Sequence, residues 1–191
     1  SQVFGVSEEL VDAVMRRAAK AVNFGIIYGI GAFSLSKDIN VSVAQADRYI
    51  KSYLAGFPSV DRFMKDTVEF AENNGYVKTL FGRRRYIPEL KSSNKNLQAF
   101  GRRAAMNAPI QGTAADIIKI AMIRVWRKLK EENLDARLIL QVHDELIVEA
   151  SEECAKRAAE LLSQEMESAV KLSVPLTADV NIGRSWYDAK G

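Results

Sequence analysis

Cysteine and histidine are almost absent: Cys154 and His143 are the only residues of their kinds among 191. That excludes disulfide frameworks, zinc sites of the Cys/His kind and haem attachment. Any bound metal must be held by carboxylates, which suit hard cations such as Mg²⁺, Mn²⁺ or Ca²⁺, and Mg²⁺ often shares its ligands with substrate phosphates. Proline occurs only four times, and repeats, low-complexity tracts and Pro/Gly/Ser linkers are missing, so the chain reads as compact, one large domain or two small ones. No run of eighteen apolar residues occurs, and Ser1 to Leu10 has neither a basic leader nor a long apolar stretch. The expectation is a soluble, cytoplasmic protein without a membrane partner. The first residue is not Met, and the opening SQVFGVSEEL suggests a piece excised from something longer.

What is present begins with charge. The net charge is +3, but residues 1–103 hold 16 Lys and Arg against 10 Asp and Glu, whereas residues 104–191 hold 11 against 14. A basic first part suits a polyanionic partner, and it equally suits solvated surface charge.

Helical spacing of apolar residues predicts a helix from Asp12, as N-cap, to Tyr28, ended by the glycines of Tyr28-Gly29-Ile30-Gly31. Further helices are predicted around 32–38, over 42–54 behind a Ser or Asn cap, and over 58–73 ahead of Gly75. Residues 76–90 read as a short hairpin or irregular loop with a basic tip. A long helical stretch over 96–132 is predicted to be interrupted at Pro109 and Gly112. Strands follow at 137–142 and 146–150, joined by a very short turn, then a helix over 152–170 and a closing strand over 176–182. The fold class is α+β, helix-rich, with its strands concentrated at the C-terminal end.

Three constellations could carry chemistry. Arg16, Lys20, Phe24 and Tyr28 recur every four residues, so they share one broad helix face about 18 Å long. Two cations followed by two aromatics suit a ligand with a polyphosphate end and a flat end, such as a nucleoside triphosphate. The same spacing fits a solvent-facing basic turn followed by core aromatics. Gln141-Val142-His143-Asp144-Glu145 joins two apolar strands, where a turn can hold adjacent acids at a sheet edge within reach of a metal. A polar turn facing water is the bland alternative. Arg103, Asn107 and Gln111 again sit four apart, as donors to minor-groove acceptors or as ordinary surface residues around a proline kink.

Taken together, these segments resemble family A DNA polymerases over essentially the whole chain. RRAAKAVNFGIIYG, from Arg16 to Gly29, is similar to the family's nucleotide-binding fingers helix, motif B. LQVHDELIVE, from Leu140 to Glu149, is similar to motif C of the palm, and RRAAMNAPIQGTAADIIK, from Arg102 to Lys119, to the helix that touches the primer-template. The resemblance implies a helical fingers subdomain over 1–95 and the C-terminal part of a palm, with a small antiparallel sheet, over 96–191.

The family's roles then fall on matching residues. Arg16 and Lys20 would contact the triphosphate of the incoming dNTP, with Lys20 also a proton donor to the leaving pyrophosphate. Phe24 would pack on the sugar, and a Phe there implies discrimination against dideoxynucleotides. Tyr28 and Gly29 would border the templating base. Asp144 would be a ligand of the catalytic Mg²⁺ pair, for which Mn²⁺ could substitute, with Glu145 a supporting carboxylate. His143 would lie by the primer terminus, Arg103, Asn107 and Gln111 would follow the minor groove of the primer-template DNA, and the basic tip Arg83 to Arg85 could also meet DNA.

The implied reaction is template-directed transfer of a nucleotide to a primer 3′-hydroxyl by two-metal catalysis. The family's second aspartate lies in an upstream motif of the form D-Y-S-Q-I-E, which no part of these residues matches. The expectation is therefore a fragment, inactive alone, whose partners include the missing N-terminal part of the same polymerase chain and whose incomplete sheet favours self-association. A non-catalytic DNA- or nucleotide-binding module remains the alternative, and a small metal-dependent phosphohydrolase at His143-Asp144-Glu145 a third.

Overall fold

The computed structural model describes residues 6–190; the sequence-based reading of residues 1–5 lies outside the described residues. The described chain divides into two compact units, one ending at Gln111 and the other beginning at Gly112.

The first unit is mainly helical. After a short 3-10 turn, Glu8–Leu10, come α1 (Ala13–Ile27), α2 (Ala32–Asp38), α3 (Val43–Gly56) and α4 (Pro58–Asn74). Their limits follow from local chemistry. The Asp12 carboxylate accepts a hydrogen bond from the Met15 amide, and the Ser42 hydroxyl accepts one from Gln45, so each satisfies an orphan donor of the first turn. Pro58 opens α4 with its preset φ, and Gly75 closes it in the left-handed region, at φ 77°. Val22, Ile26, Leu35 and Ala46 form the core shared by α1, α2 and α3.

A small antiparallel hairpin follows, β1 (Tyr76–Lys78) and β2 (Arg84–Tyr86), with Tyr76 paired to Tyr86 and Lys78 to Arg84. Gly82 at φ 84° turns its connection. Val77 of β1 and the following Ile87 are buried with Ala71, Leu90, Ala105 and Ala108.

Helix α5 runs unbroken from Lys95 to Glu131, with Pro109 inside it, which corrects the interruption expected at Pro109 and Gly112. Proline in a helix interior costs about 3 kcal/mol. Here Ala105 and Ala108 are buried on one side of it, and Ala121, Val125 and Leu129 on the other. Packing of both halves outweighs the local penalty.

The second unit adds β3 (Ala136–Val142) and β4 (Glu145–Ala150), a two-stranded antiparallel ribbon with a register shift between Leu138 and Leu140, then α6 (Ala155–Glu167) and a last turn of helix, α7 (Trp186–Ala189). Leu146 joins Ala121, Val125, Leu129, Ala158, Leu161 and Leu162 in its core. Ile139 and Leu140 stay exposed on β3. Helix α6 is shorter at both ends than the predicted 152–170.

Residues 176–182 are not a strand, contrary to the expected closing strand. They keep the alternation of a strand, with Val180 packed against the core, but no strand among the described residues pairs with them. Side chains of α6 take part of that role. Glu167 accepts from the Ala178 amide at 3.1 Å, and the Ser163 hydroxyl donates to the Ala178 carbonyl at 3.3 Å. No helix among the described residues is long and apolar enough to cross a membrane.

The end of α5 is tied to α6 by a two-pronged ion pair. Arg157 donates from Nε to Glu132 at 2.7 Å and from Nη2 at 2.6 Å. The guanidinium hydrogen bond holds the Glu132 carboxyl below its ordinary 4.5. A carboxyl depressed in the folded state stabilises above its unfolded value and loses that contribution as pH falls through the folded one. Glu132→Gln is therefore expected to unfold at lower denaturant than the parent at pH 7, with the gap closing once the pH drops below 4.5. A gap that persists undiminished into strong acid would remove the ion pair as its cause.

Candidate active site

The exposed face of α1 is what a phosphate-rich, flat ligand requires. Val22 and Ile26 turn the opposite face into the core, which leaves Arg16, Lys20, Phe24 and Tyr28 facing outward. The two rings are 45% and 43% exposed, so they are not core aromatics. They stack with centroids 6.3 Å apart and planes inclined by 22°, and the Lys20 ammonium lies 6.0 Å from the Phe24 centroid. Neither Arg16 nor Lys20 has an acidic partner among the described residues, so both charges remain available to an anion.

At the end of this face the chain turns back at Gly29, whose amide donates to the Ile26 carbonyl at 2.8 Å while Ile30 donates to Gly25 at 2.8 Å. Gly29 has φ 71°, and a Cβ there would lie 2.3 Å from the Met106 methyl and 3.1 Å from the Arg103 Cγ. The glycine thus allows the end of α1 to approach α5 closely. A cleft of about 500 Å³ opens there, lined among others by Tyr28, Gly29, Ser34, Asp38 and Arg103.

Gly29→Ala is expected to lose about 1–2 kcal/mol of stability from the left-handed backbone alone, since the terminal methyl of Met106 can swing aside. Denaturant unfolding measures this. An unchanged midpoint would mean that the turn relaxes freely.

On α5, Arg103 and Gln111 are exposed and Asn107 is half-buried. The Asn107 side-chain oxygen is buried without a hydrogen-bond partner. An orphaned buried carbonyl costs free energy, about 1–3 kcal/mol, unless a donor reaches it.

In the second unit, the ribbon presents its acids at a turn of two residues. Val142 pairs with Glu145, leaving His143 and Asp144 as the turn, with His143 at φ 53°. Histidine tolerates that region better than most residues. The Gln141 side-chain amide donates to the His143 carbonyl and braces the turn. His143, Asp144 and Glu145 are all exposed, while Leu146 immediately behind them is buried in the core. The acids therefore stand on a short, anchored ribbon rather than a loose loop.

Among the described residues, no three His, Cys, Asp or Glu side chains cluster as a closed metal site. Two adjacent exposed carboxylates still fit Mg²⁺, which is commonly held by one or two protein carboxylates together with waters and substrate phosphates.

The structure thus brings Arg16, Lys20, Phe24 and Tyr28 onto one face, Tyr28, Gly29 and Arg103 around one cleft, and His143, Asp144 and Glu145 onto one turn. Sequence reasoning missed Ser34, Asp38 and Met106. The only sequence signal for that close approach was the run Gly25, Gly29, Gly31.

Comparison with known proteins places the chain among relatives of one family. Residues 1–188 match DNA polymerase family A. The DNA polymerase I of Caldicellulosiruptor bescii is 50% identical over 190 residues, covering 100% of this chain and 22% of that protein. The DNA polymerase I of Geobacillus stearothermophilus is 53% identical over 188 residues, covering 98% and 22%. The thermostable DNA polymerase I of Thermus aquaticus is 45% identical over 190 residues, covering 100% and 23%. Among solved structures, the POL domain of Pol1 from M. smegmatis in complex with DNA primer-template and dNTP matches with a TM-score of 0.94 at 42% identity, covering 100% of this chain and 34% of that one.

The chain belongs to DNA polymerase family A. It spans about a fifth of the length of the curated relatives it matches.

Proposed function

We propose that the chain supplies the fingers and the C-terminal part of the palm of an enzyme that extends a primer along a template. The fingers correspond to residues 1–95 and the palm to 96–191, so that α5 belongs to the palm although the compact units divide within it, after Gln111. The observation that carries this reading is the exposed α1 face, where two unpaired cations and two stacked aromatics stand in the order a nucleoside triphosphate needs.

Arg16 and Lys20 neutralise the triphosphate, and Lys20 donates a proton to the departing pyrophosphate. Phe24 packs on the sugar and selects against dideoxynucleotides. Tyr28 and Gly29 border the templating base, while Arg103, Asn107 and Gln111 donate to minor-groove acceptors of the primer-template. His143 lies by the primer terminus. Asp144, with Glu145 in support, would hold Mg²⁺, or Mn²⁺ in its place. When bound, the two ions activate the primer hydroxyl and neutralise charge on the leaving group.

A pair of Mg²⁺ ions would need more carboxylate than Asp144 and Glu145 offer, and no segment of this chain has the form D-Y-S-Q-I-E. The second carboxylate must come from elsewhere, and the natural source is the N-terminal portion of a longer polymerase chain. Alone, the chain is inactive and prone to associate through the exposed Ile139 and Leu140 of the β3–β4 ribbon.

Primer extension tests this with the chain alone and with the chain joined to the upstream polymerase segment of a close relative. Extension by the joined protein and none by the chain alone supports the proposal. A folded joined protein that does not extend primers would overturn it.

One observation favours a second reading. The basic balance of residues 1–103, 16 Lys and Arg against 10 Asp and Glu, also fits a non-catalytic DNA- or nucleotide-binding module. That reading requires Asp144→Asn to leave every measurable function intact.

A further inference from the structure

The β1–β2 hairpin carries charges that its own fold does not use. Strand periodicity puts Tyr76 and Lys78 of β1 on the same face as Arg84 and Tyr86 of β2, and the register sets Lys78 directly opposite Arg84. Like charges directly opposite on paired strands destabilise a ribbon. No acid pairs with Lys78, Arg84 or Arg85 among the described residues. Residues 76–91 contain five Lys and Arg and a single acid, Glu89.

Lys78 and Arg84 are compensated by an aromatic ring. The Lys78 ammonium lies 5.6 Å and the Arg84 guanidinium 4.7 Å from the centroid of Tyr76, which Phe70 of α4 meets edge-on at 5.6 Å. Beside this cation-bearing ring stands Tyr86, 5.7 Å from Tyr76 and 66% exposed. The hairpin is anchored from behind, with Val77 and Ile87 each 1% exposed. A hairpin anchored in this way, with two cations that no acid among the described residues neutralises and an exposed tyrosine, has the two elements that bind unpaired nucleic acid: charge for the backbone and a ring on which a base can stack. Duplex DNA can satisfy the cations, but its bases are already stacked and cannot use Tyr86.

We propose that the Tyr76, Lys78, Arg84 and Tyr86 face of the β1–β2 hairpin is a binding site for single-stranded DNA, with Lys78 and Arg84 on the phosphates and an unpaired base stacked on Tyr86. The inference rests on the reading of the chain as a polymerase part and adds a site for the unpaired strand, separate from the α1 face and from the acidic turn.

Fluorescence anisotropy tests it, with the chain titrated into a labelled single strand of about 20 nucleotides or a blunt duplex of equal length, across a salt series. Lys78→Gln with Arg84→Gln is expected to weaken single-strand binding about tenfold or more and to reduce the slope of log affinity against log salt by about 1.4, some 0.7 for each lost contact. Tyr86→Leu is expected to weaken single-strand binding about tenfold and to leave duplex binding unchanged, while Tyr86→Phe keeps the parent affinity. Circular dichroism confirms that each variant is folded. Equal single-strand binding by Tyr86→Leu and parent, or equal losses for single strand and duplex, would overturn the stacking site. Variants that match the parent on single strands fail this inference alone; the polymerase reading fails only if the folded joined protein does not extend primers.

Discussion

Asp144→Asn, made in a polymerase that includes this chain, is expected to reduce primer extension about 1000-fold or more, on the order of 4 kcal/mol of transition-state stabilisation. Asparagine keeps the size of the side chain and one carbonyl oxygen but removes the negative charge that a hard divalent cation requires. The substitution lies at an exposed turn position, between His143 at φ 53° and the β4 strand, where Asn is as well suited as Asp. Folding and DNA affinity should therefore be preserved while turnover collapses. Glu145→Gln is expected to cost far less, since Glu145 sits at the first position of β4 and is assigned only a supporting role. Single-turnover rates with saturating primer-template separate these cases. Comparable losses from the two substitutions would mean that both acids bind metal directly, and a loss of ten-fold or less in Asp144→Asn would remove Asp144 as a metal ligand.

Features set by chemistry within a few residues were legible in the sequence. Asp12 and Ser42 are caps because a short oxygen-bearing side chain meets amides two or three residues on, and Gly75 ends α4 because it can adopt a positive φ. The acidic turn was legible for the same reason: two apolar strands around His143 and Asp144 leave no room for anything but a tight hairpin.

Features set by distant partners were not. Pro109 signals a break by every local rule, yet buried residues on both sides of it keep α5 whole. Residues 176–182 have a strand's alternation, but a strand exists only when another one pairs with it, and here the partners are side chains of α6. The cleft beside Tyr28 is lined in part by Arg103, more than seventy residues along the chain, so its lining could not be read from the spacing of α1. The exposure of Phe24 and Tyr28 also had to be seen, because a four-residue repeat of aromatics is compatible with either a core or a surface face.

The second large effect is expected at Lys20, and its value lies in separating two roles that one side chain can combine. As a fixed positive charge beside Arg16, Lys20 would bind the triphosphate in the ground state and in the transition state alike. As a proton donor it acts only when the bond to pyrophosphate breaks, a contribution worth about 10²- to 10⁴-fold in rate. Lys20→Ala removes both and should raise KM for the dNTP while lowering kcat. Lys20→Arg keeps the charge but replaces the ammonium by a guanidinium that does not give up its proton in proteins. Its KM should stay near that of the parent while kcat falls by about 100-fold or more.

Arg16→Lys is the matched control one turn earlier on the same exposed face, and it should move KM more than kcat, because a lysine cannot reproduce the two-pronged contact of an arginine with phosphate. Lys20→Arg with full kcat would reduce Lys20 to a phosphate-binding charge and leave proton delivery to solvent. A fall in kcat at unchanged KM, confined to position 20, would identify it as the group that hands its proton to the leaving pyrophosphate, and would place the reacting end of the nucleotide beside Lys20 with its flat end toward Phe24 and Tyr28.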